Sequence, residues 1–160
     1  MSGQQLPVRP RRSVLYVPAV NARAVDKARG LPCDAVVLDL EDAVGPEAKA
    51  EARAAAVAAL RAGGFGARET AVRCNGLDTP WGEEDLKAVA ASGAAAVVLP
   101  KISGPGDVLA AETILGAAPA RLWVMIETCK AALHLPAIAA LAGSTRLGGL
   151  VIISQKFLPA

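Results

Sequence analysis

The sequence predicts a parallel α/β fold with the rhythm of a (β/α)8 barrel, carried for about six βα units. Three observations point there. Short runs rich in Val, Leu and Ile are continuously apolar, as in strands covered on both faces. Ala-rich segments of helical length separate these runs. Strand starts recur at intervals close to the about 31 residues per unit of a (β/α)8 barrel, whose full circuit takes about 250 residues against 160 here. A doubly wound open sheet also suits the length and stands as the alternative. Its announcing feature, a glycine fingerprint after the first strand, is replaced by "PAVNAR" (18–23), so no dinucleotide site is expected.

Taken in order, the predicted strands are "SVLYV" (13–17), "AVVLDL" (35–40), "TAVRC" (70–74), "AAVVLP" (95–100), "RLWVMIE" (121–127) and "GLVII" (149–153). In "GPEAKAEARAAAVAALRAGG" (45–64), Pro46 suits the first helical position and Gly63 the stop. "TPWGEEDLKAVAASG" (79–93) offers Thr79 as an N-cap, acids in its first turn and Gly93 at its end. "GPGDVLAAETILG" (104–116) and "TCKAALHLPAIAALAG" (128–143) complete the helices, and Pro136 is expected to kink or split the last.

Composition bounds the function. At 53% hydrophobic and 20% charged the chain is globular, and a net charge of +2 does not suggest a nucleic-acid partner. The one basic cluster, "VRPRRS" (8–13), is either a solvated tail or an anion contact. Cys33, Cys74 and Cys129 are an odd, scattered set, which argues for a reducing compartment. The single histidine, His134, rules out a His-rich metal site. No apolar run reaches the roughly 18 residues of a membrane span, and the N-terminus lacks a signal-like apolar region. The expectation is a soluble, cytoplasmic protein with no membrane partner.

The polar residues that matter collect at strand ends. Strand two ends in Asp39, Glu41 and Asp42, strand three in Arg73 and Asn75, strand four in Pro100 and Lys101, strand five in Glu127 and Thr128. In a parallel barrel those ends share the face on which the βα loops build active sites. Glu127, closing the run "LWVMI", is the acid hardest to explain as structural, because a carboxylate beside an apolar core needs a metal, an arginine or a proton. The other acids have an ordinary reading as helix caps or surface ion pairs, Arg73 as a structural ion-pair partner, and Lys101 as a solvated loop charge. Cys129, His134 and Trp81 read as packing residues. Acids without His or clustered Cys suit a hard cation such as Mg2+. That ion would hold an oxo or hydroxy acid and stabilise an enolate, while Arg73 would clamp a substrate carboxylate in a bidentate fork.

Five blocks, "RRSVLYVP", "DAVVLDLEDAVGPEAKAEAR", "VRCNGLDTPWGEEDL", "VVLPKI" and "WVMIET", resemble in order and spacing the citrate lyase β-subunit-like branch of the HpcH/HpaI aldolase family. The resemblance covers about residues 11–152. It implies a (β/α)8 TIM barrel of the citrate lyase β-subunit-like type and a Mg2+-dependent carbon–carbon lyase acting on CoA thioesters such as citryl-CoA or malyl-CoA. By the same resemblance Glu127 would be a metal ligand, Arg73 a catalytic and substrate-carboxylate-binding residue, and Glu41 a catalytic acid near the metal, acting through water. Arg12 would lie near the CoA moiety. The intact family form would be a homo-oligomer.

The resemblance fades after residue 152. There the family continues with a pattern like G-T-N-D-L, whose Asp supplies a second metal carboxylate; "GGLVIISQKFLPA" diverges and puts Lys156 about there. The implied organisation is a flexible tail (1–10), a partial barrel (11–152) and a divergent tail (153–160), as in a frameshifted or fragmentary member. Weak or absent Mg2+ binding, two open sheet edges, an uncovered apolar interior and poor stability are expected. Two other functions stay open: a non-catalytic remnant or subunit-interaction module, and a thioesterase on malyl-CoA-like substrates.

Overall fold

In the computed structural model, which describes residues 10–153, six strands form one parallel sheet in sequence order. They are β1 (Val14–Pro18), β2 (Ala35–Asp39), β3 (Glu69–Arg73), β4 (Ala96–Leu99), β5 (Arg121–Ile126) and β6 (Leu147–Ile152). All six lie within two residues of the sequence prediction. The helices are α1 (Ala22–Gly30), α2 (Lys49–Ala62), α3 (Gly82–Ala90), α4 (Pro105–Leu115), α5 (Cys129–Leu133) and α6 (Leu135–Ala140). Residues 1–9 of the expected N-terminal tail, and Lys156, lie outside the described residues.

Local chemistry explains most boundaries. Pro46 opens a short 3-10 turn that leads into α2, and Gly63 ends that helix at φ 67°, a conformation glycine adopts without strain. Pro136 does split the last predicted helix, with His134 as the joint between α5 and α6. Two expectations need correction. Helix α3 begins at Gly82 rather than beside Thr79, whose hydroxyl instead donates to the Gly76 carbonyl at 2.7 Å and closes the preceding turn. Helix α1 was not foreseen, although Asn21 caps it by accepting the Ala24 N–H at 3.0 Å.

Side chains alternate across each strand and so divide into two cores. Val36, Leu38, Val72, Val97, Leu122 and Val124 face the helices and pack with Val25, Ala52, Leu86, Val108 and others. On the opposite face Ala35, Val37, Ala71, Ala96, Val98, Trp123 and Met125 form a second cluster. Tyr16 of β1 and Val151 of β6 both pack against it. The Arg11 guanidinium, just before β1, lies 4.6 Å from the Trp123 ring of β5. Residues from opposite sides of the sheet therefore meet over its inner face, and the sheet curls as an incomplete barrel. The expected bare interior is not found: Ala35, Val37, Ala71, Ala96 and Val98 are all fully buried. The two open edges are there, since β1 and β6 each pair with one neighbour only among the described strands.

Candidate active site at the strand ends

The inner-face positions Val37, Ala71 and Met125 are followed, two residues later, by Asp39, Arg73 and Glu127. The apolar lumen thus ends in a charged layer at the C-terminal end of the strands. Asp39 and Arg73 are neighbours in register across β2 and β3. The pair is bidentate: Arg73 Nε donates to Asp39 Oδ1 at 2.7 Å and Nη2 to Oδ2 at 2.6 Å. The same two oxygens accept the backbone N–H groups of Glu41 (2.9 Å) and Ala43 (3.2 Å), so Asp39 shapes the loop that follows it.

That loop presents Glu41, buried at 4% exposure. Its Oε2 lies 2.9 Å from Arg73 Nη1 and its Oε1 2.5 Å from Lys101 Nζ. Neither oxygen has an aligned hydrogen-bond donor, so the carboxylate is held by charge. Asp42, at the rim, lies 3.4 Å from Arg73 Nη1 and 3.6 Å from Lys101 Nζ. Glu127, also 4% exposed, accepts the Lys101 backbone N–H at 2.7 Å. One residue thereby touches both of the acids singled out from sequence. The reading of Lys101 as a solvated loop charge is corrected.

Lys49 and Asp85, which sequence reasoning missed, support the loop from behind together with Asn75. Lys49 is buried and donates to the carbonyls of Leu40 and Glu41, both at 2.8 Å, with its ammonium 5.6 Å from the Trp81 ring. The Asn75 amide donates to Leu40 O at 3.1 Å and to Asp85 Oδ2 at 2.6 Å. Asp85 is fully buried and also accepts from Arg53 Nε at 2.6 Å.

The charges act on one another. Burial alone would pull the Arg73 pKa down, but its bonds to Asp39 and the charges of Asp39, Glu41 and Asp42 raise it above the ordinary value. Contact with Glu41 raises the Lys101 ammonium, whereas burial lowers that of Lys49. The Tyr16 hydroxyl is raised mainly by burial, and it senses Arg73, Asp39 and Glu127 together. The Arg73 guanidinium lies 5.4 Å from the Tyr16 ring. Arg73, Glu41 and Glu127 thus share one end of the sheet.

Arg12 does not join them. Residues before β1 stand at the N-terminal end of parallel strands, and Arg12 is bound there to Asp34 just before β2, through Nη2 at 3.1 Å and its backbone N–H at 2.8 Å. Arg12 thus stands apart from the charged layer, paired with Asp34. The bidentate clamp expected of Arg73 is also closed on Asp39, which leaves Nη1 as the edge nearest Glu41 and Asp42. Cys129 and His134 are exposed rather than packed, and His134 Nδ1 lies 3.0 Å from Ser103 O.

A hard cation fits this donor set in part. Glu127 and Glu41 are buried oxygen donors flanking Lys101, and the Glu41 oxygens lack aligned donors. Among the described residues no three His, Cys, Asp or Glu side chains converge as a complete cage. One or two carboxylates with water and substrate filling the rest is the usual arrangement for Mg2+.

The comparisons agree with this geometry. A (3S)-malyl-CoA thioesterase of Cereibacter sphaeroides strain KD131 is 43% identical over 143 residues, covering 89% of this chain and 48% of the relative. The citrate lyase subunit beta of Escherichia coli strain K12 is 44% identical over 106 residues, 66% of this chain and 35% of that one. The chain therefore spans half or less of the length of these curated relatives. Protein CitE of Mycobacterium tuberculosis, solved with magnesium, acetoacetate and coenzyme A, superposes with a TM-score of 0.74 at 27% identity, over 93% of this chain and 51% of that one. The family model for HpcH/HpaI aldolase/citrate lyase matches residues 12–154. With the strand order, the charged layer and these matches in agreement, the chain belongs to the HpcH/HpaI aldolase/citrate lyase family.

Proposed function

We propose that this chain carries the reaction site of a Mg2+-dependent carbon–carbon lyase acting on CoA thioesters of hydroxy or dicarboxylic acids, of the malyl-CoA or citryl-CoA type. The observation that carries this reading is Glu41, a buried carboxylate without aligned hydrogen bonds, set between Arg73 and Lys101 beside Glu127. Cleavage of a 3-hydroxyacyl thioester needs a base for the hydroxyl proton. As the carbon–carbon bond breaks, its electron pair passes to the thioester as an enolate, the hydroxyl carbon becomes a carbonyl, and a proton returns to the enolate carbon. Glu41 Oε1 or Oε2, through a water, is the group to accept the hydroxyl proton. Arg73 Nη1 is the donor edge for the anionic fragment. Glu127, with Glu41 nearby, would hold Mg2+, which when bound supplies Lewis-acid stabilisation of oxygen-centred negative charge.

A second reading is favoured by the 43% identity to a malyl-CoA thioesterase. In it the same Glu41 would take a proton from the water that attacks the thioester carbonyl, releasing malate and free CoA thiol. Product analysis with malyl-CoA and Mg2+ separates the two: glyoxylate with acetyl-CoA identifies the lyase, malate with CoA thiol the thioesterase. Glu41→Gln and Arg73→Lys should each lower kcat/KM by about 100-fold or more in either channel. Unchanged turnover in both variants would remove this site from the chemistry.

A further inference from the structure

Lys101 is the one non-glycine residue with positive φ, 53°, among the described residues. A lysine adopts this left-handed backbone only where its surroundings hold it there. Here they do so at both ends. The backbone N–H is fixed on Glu127 Oε1 at 2.7 Å, and the ammonium is 2.5 Å from Glu41 Oε1 and 3.6 Å from Asp42 Oδ1. The side chain is 45% exposed while Glu41 is buried, so the lysine reaches in from the solvent side to cover the acid. The four-carbon stem has the rotamer freedom to move the ammonium off Glu41 towards solvent.

We propose that the Lys101 ammonium is a resident counter-cation of the site, holding the place beside Glu41 that a divalent cation needs and withdrawing when that cation enters. The inference rests on the reading of Glu127 and Glu41 as the metal-binding side of the site. Its physical basis is like-charge competition. A fixed +1 charge in contact with Glu41 repels an incoming +2 ion and occupies its oxygen. Because Glu127 accepts the backbone N–H of Lys101, a neutral side chain at this position leaves that bond in place.

Isothermal titration of the full 160-residue chain with MgCl2 tests this. Lys101→Met and Lys101→Gln should bind Mg2+ at least about tenfold more tightly than the wild-type chain. Lys101→Arg keeps the charge and should bind as the wild type does. So should Lys87→Met, which removes an exposed lysine paired with Glu83 at 2.6 Å on α3. A gain in affinity cannot come from a damaged fold. If both neutral variants bind Mg2+ no more tightly than the wild type, the counter-cation role is overturned while the metal site stands. If no form binds Mg2+, the role and the metal reading fall together.

Discussion

Asp39 uses each carboxylate oxygen twice, once on Arg73 and once on a backbone N–H of the following loop. Arg73 has Glu41 and Asp42 as further neighbours, but only Asp39 binds it in a fork. Asp39→Asn leaves a buried guanidinium without its planar partner and should cost about 3 kcal/mol of unfolding free energy in urea denaturation. A loss under about 0.5 kcal/mol would show that Glu41 and Asp42 alone neutralise Arg73. At this scale the sequence was informative where periodicity acts: Asp39, Arg73 and Glu127 were legible as strand-end residues because the inner face repeats every second position. Lys49 and Asp85 were not. Each is one of several charged residues at the start of its helix (Lys49, Glu51 and Arg53 in α2; Glu83, Glu84 and Asp85 in α3), and nothing in the local pattern marks which of them turns inward. Their burial is decided by the loop they meet across space.

Helix α3 shows how one small residue positions an element. A Cβ on Gly82 would fall 2.2 Å from the Gly76 carbonyl oxygen and 3.0 Å from that of Asn75, both backbone atoms that cannot swing aside. Gly82→Ala should therefore destabilise by about 2 kcal/mol or more, despite alanine's higher helix propensity. Gly106 in α4 has no atom within 4 Å of the same position, so Gly106→Ala should be neutral or stabilising by up to about 1 kcal/mol. Paired thermal melts check both, and equal effects would contradict the close approach. The β3–α3 turn was misjudged from sequence for this reason. Thr79 is a good cap by type, but the chain needs three more residues to bring Gly82 under Gly76. The missed α1 carried a readable cap in Asn21, yet its buried face consists only of Val25 and Ala28, too little for apolar periodicity to register.

Across the whole molecule, strand order and parallel pairing were legible because six apolar runs alternate with helices. The curl was legible in the barrel-like strand spacing and in the family resemblance, but not the packing behind it, in which small Ala35, Ala71 and Ala96 share the inner face with Tyr16 and Trp123 from distant strands. On the outer face of β6, Leu150 and Ile152 remain exposed, Ile152 at 61%, beside an edge with no further described strand. Such an edge invites pairing with another chain. The double variant Leu150→Lys, Ile152→Lys should sediment with less self-association than the wild type at equal concentration. No change would place any self-association elsewhere.

The guanidinium of Arg11 has one further consequence. It lies over Trp123 and is forked onto Glu69 at 2.6 and 2.9 Å, at the N-terminal end of the strands and opposite the charged layer. This stacked pair covers the indole of the inner-face cluster at that end, so the packed apolar interior is capped by charged groups at both ends of the strands.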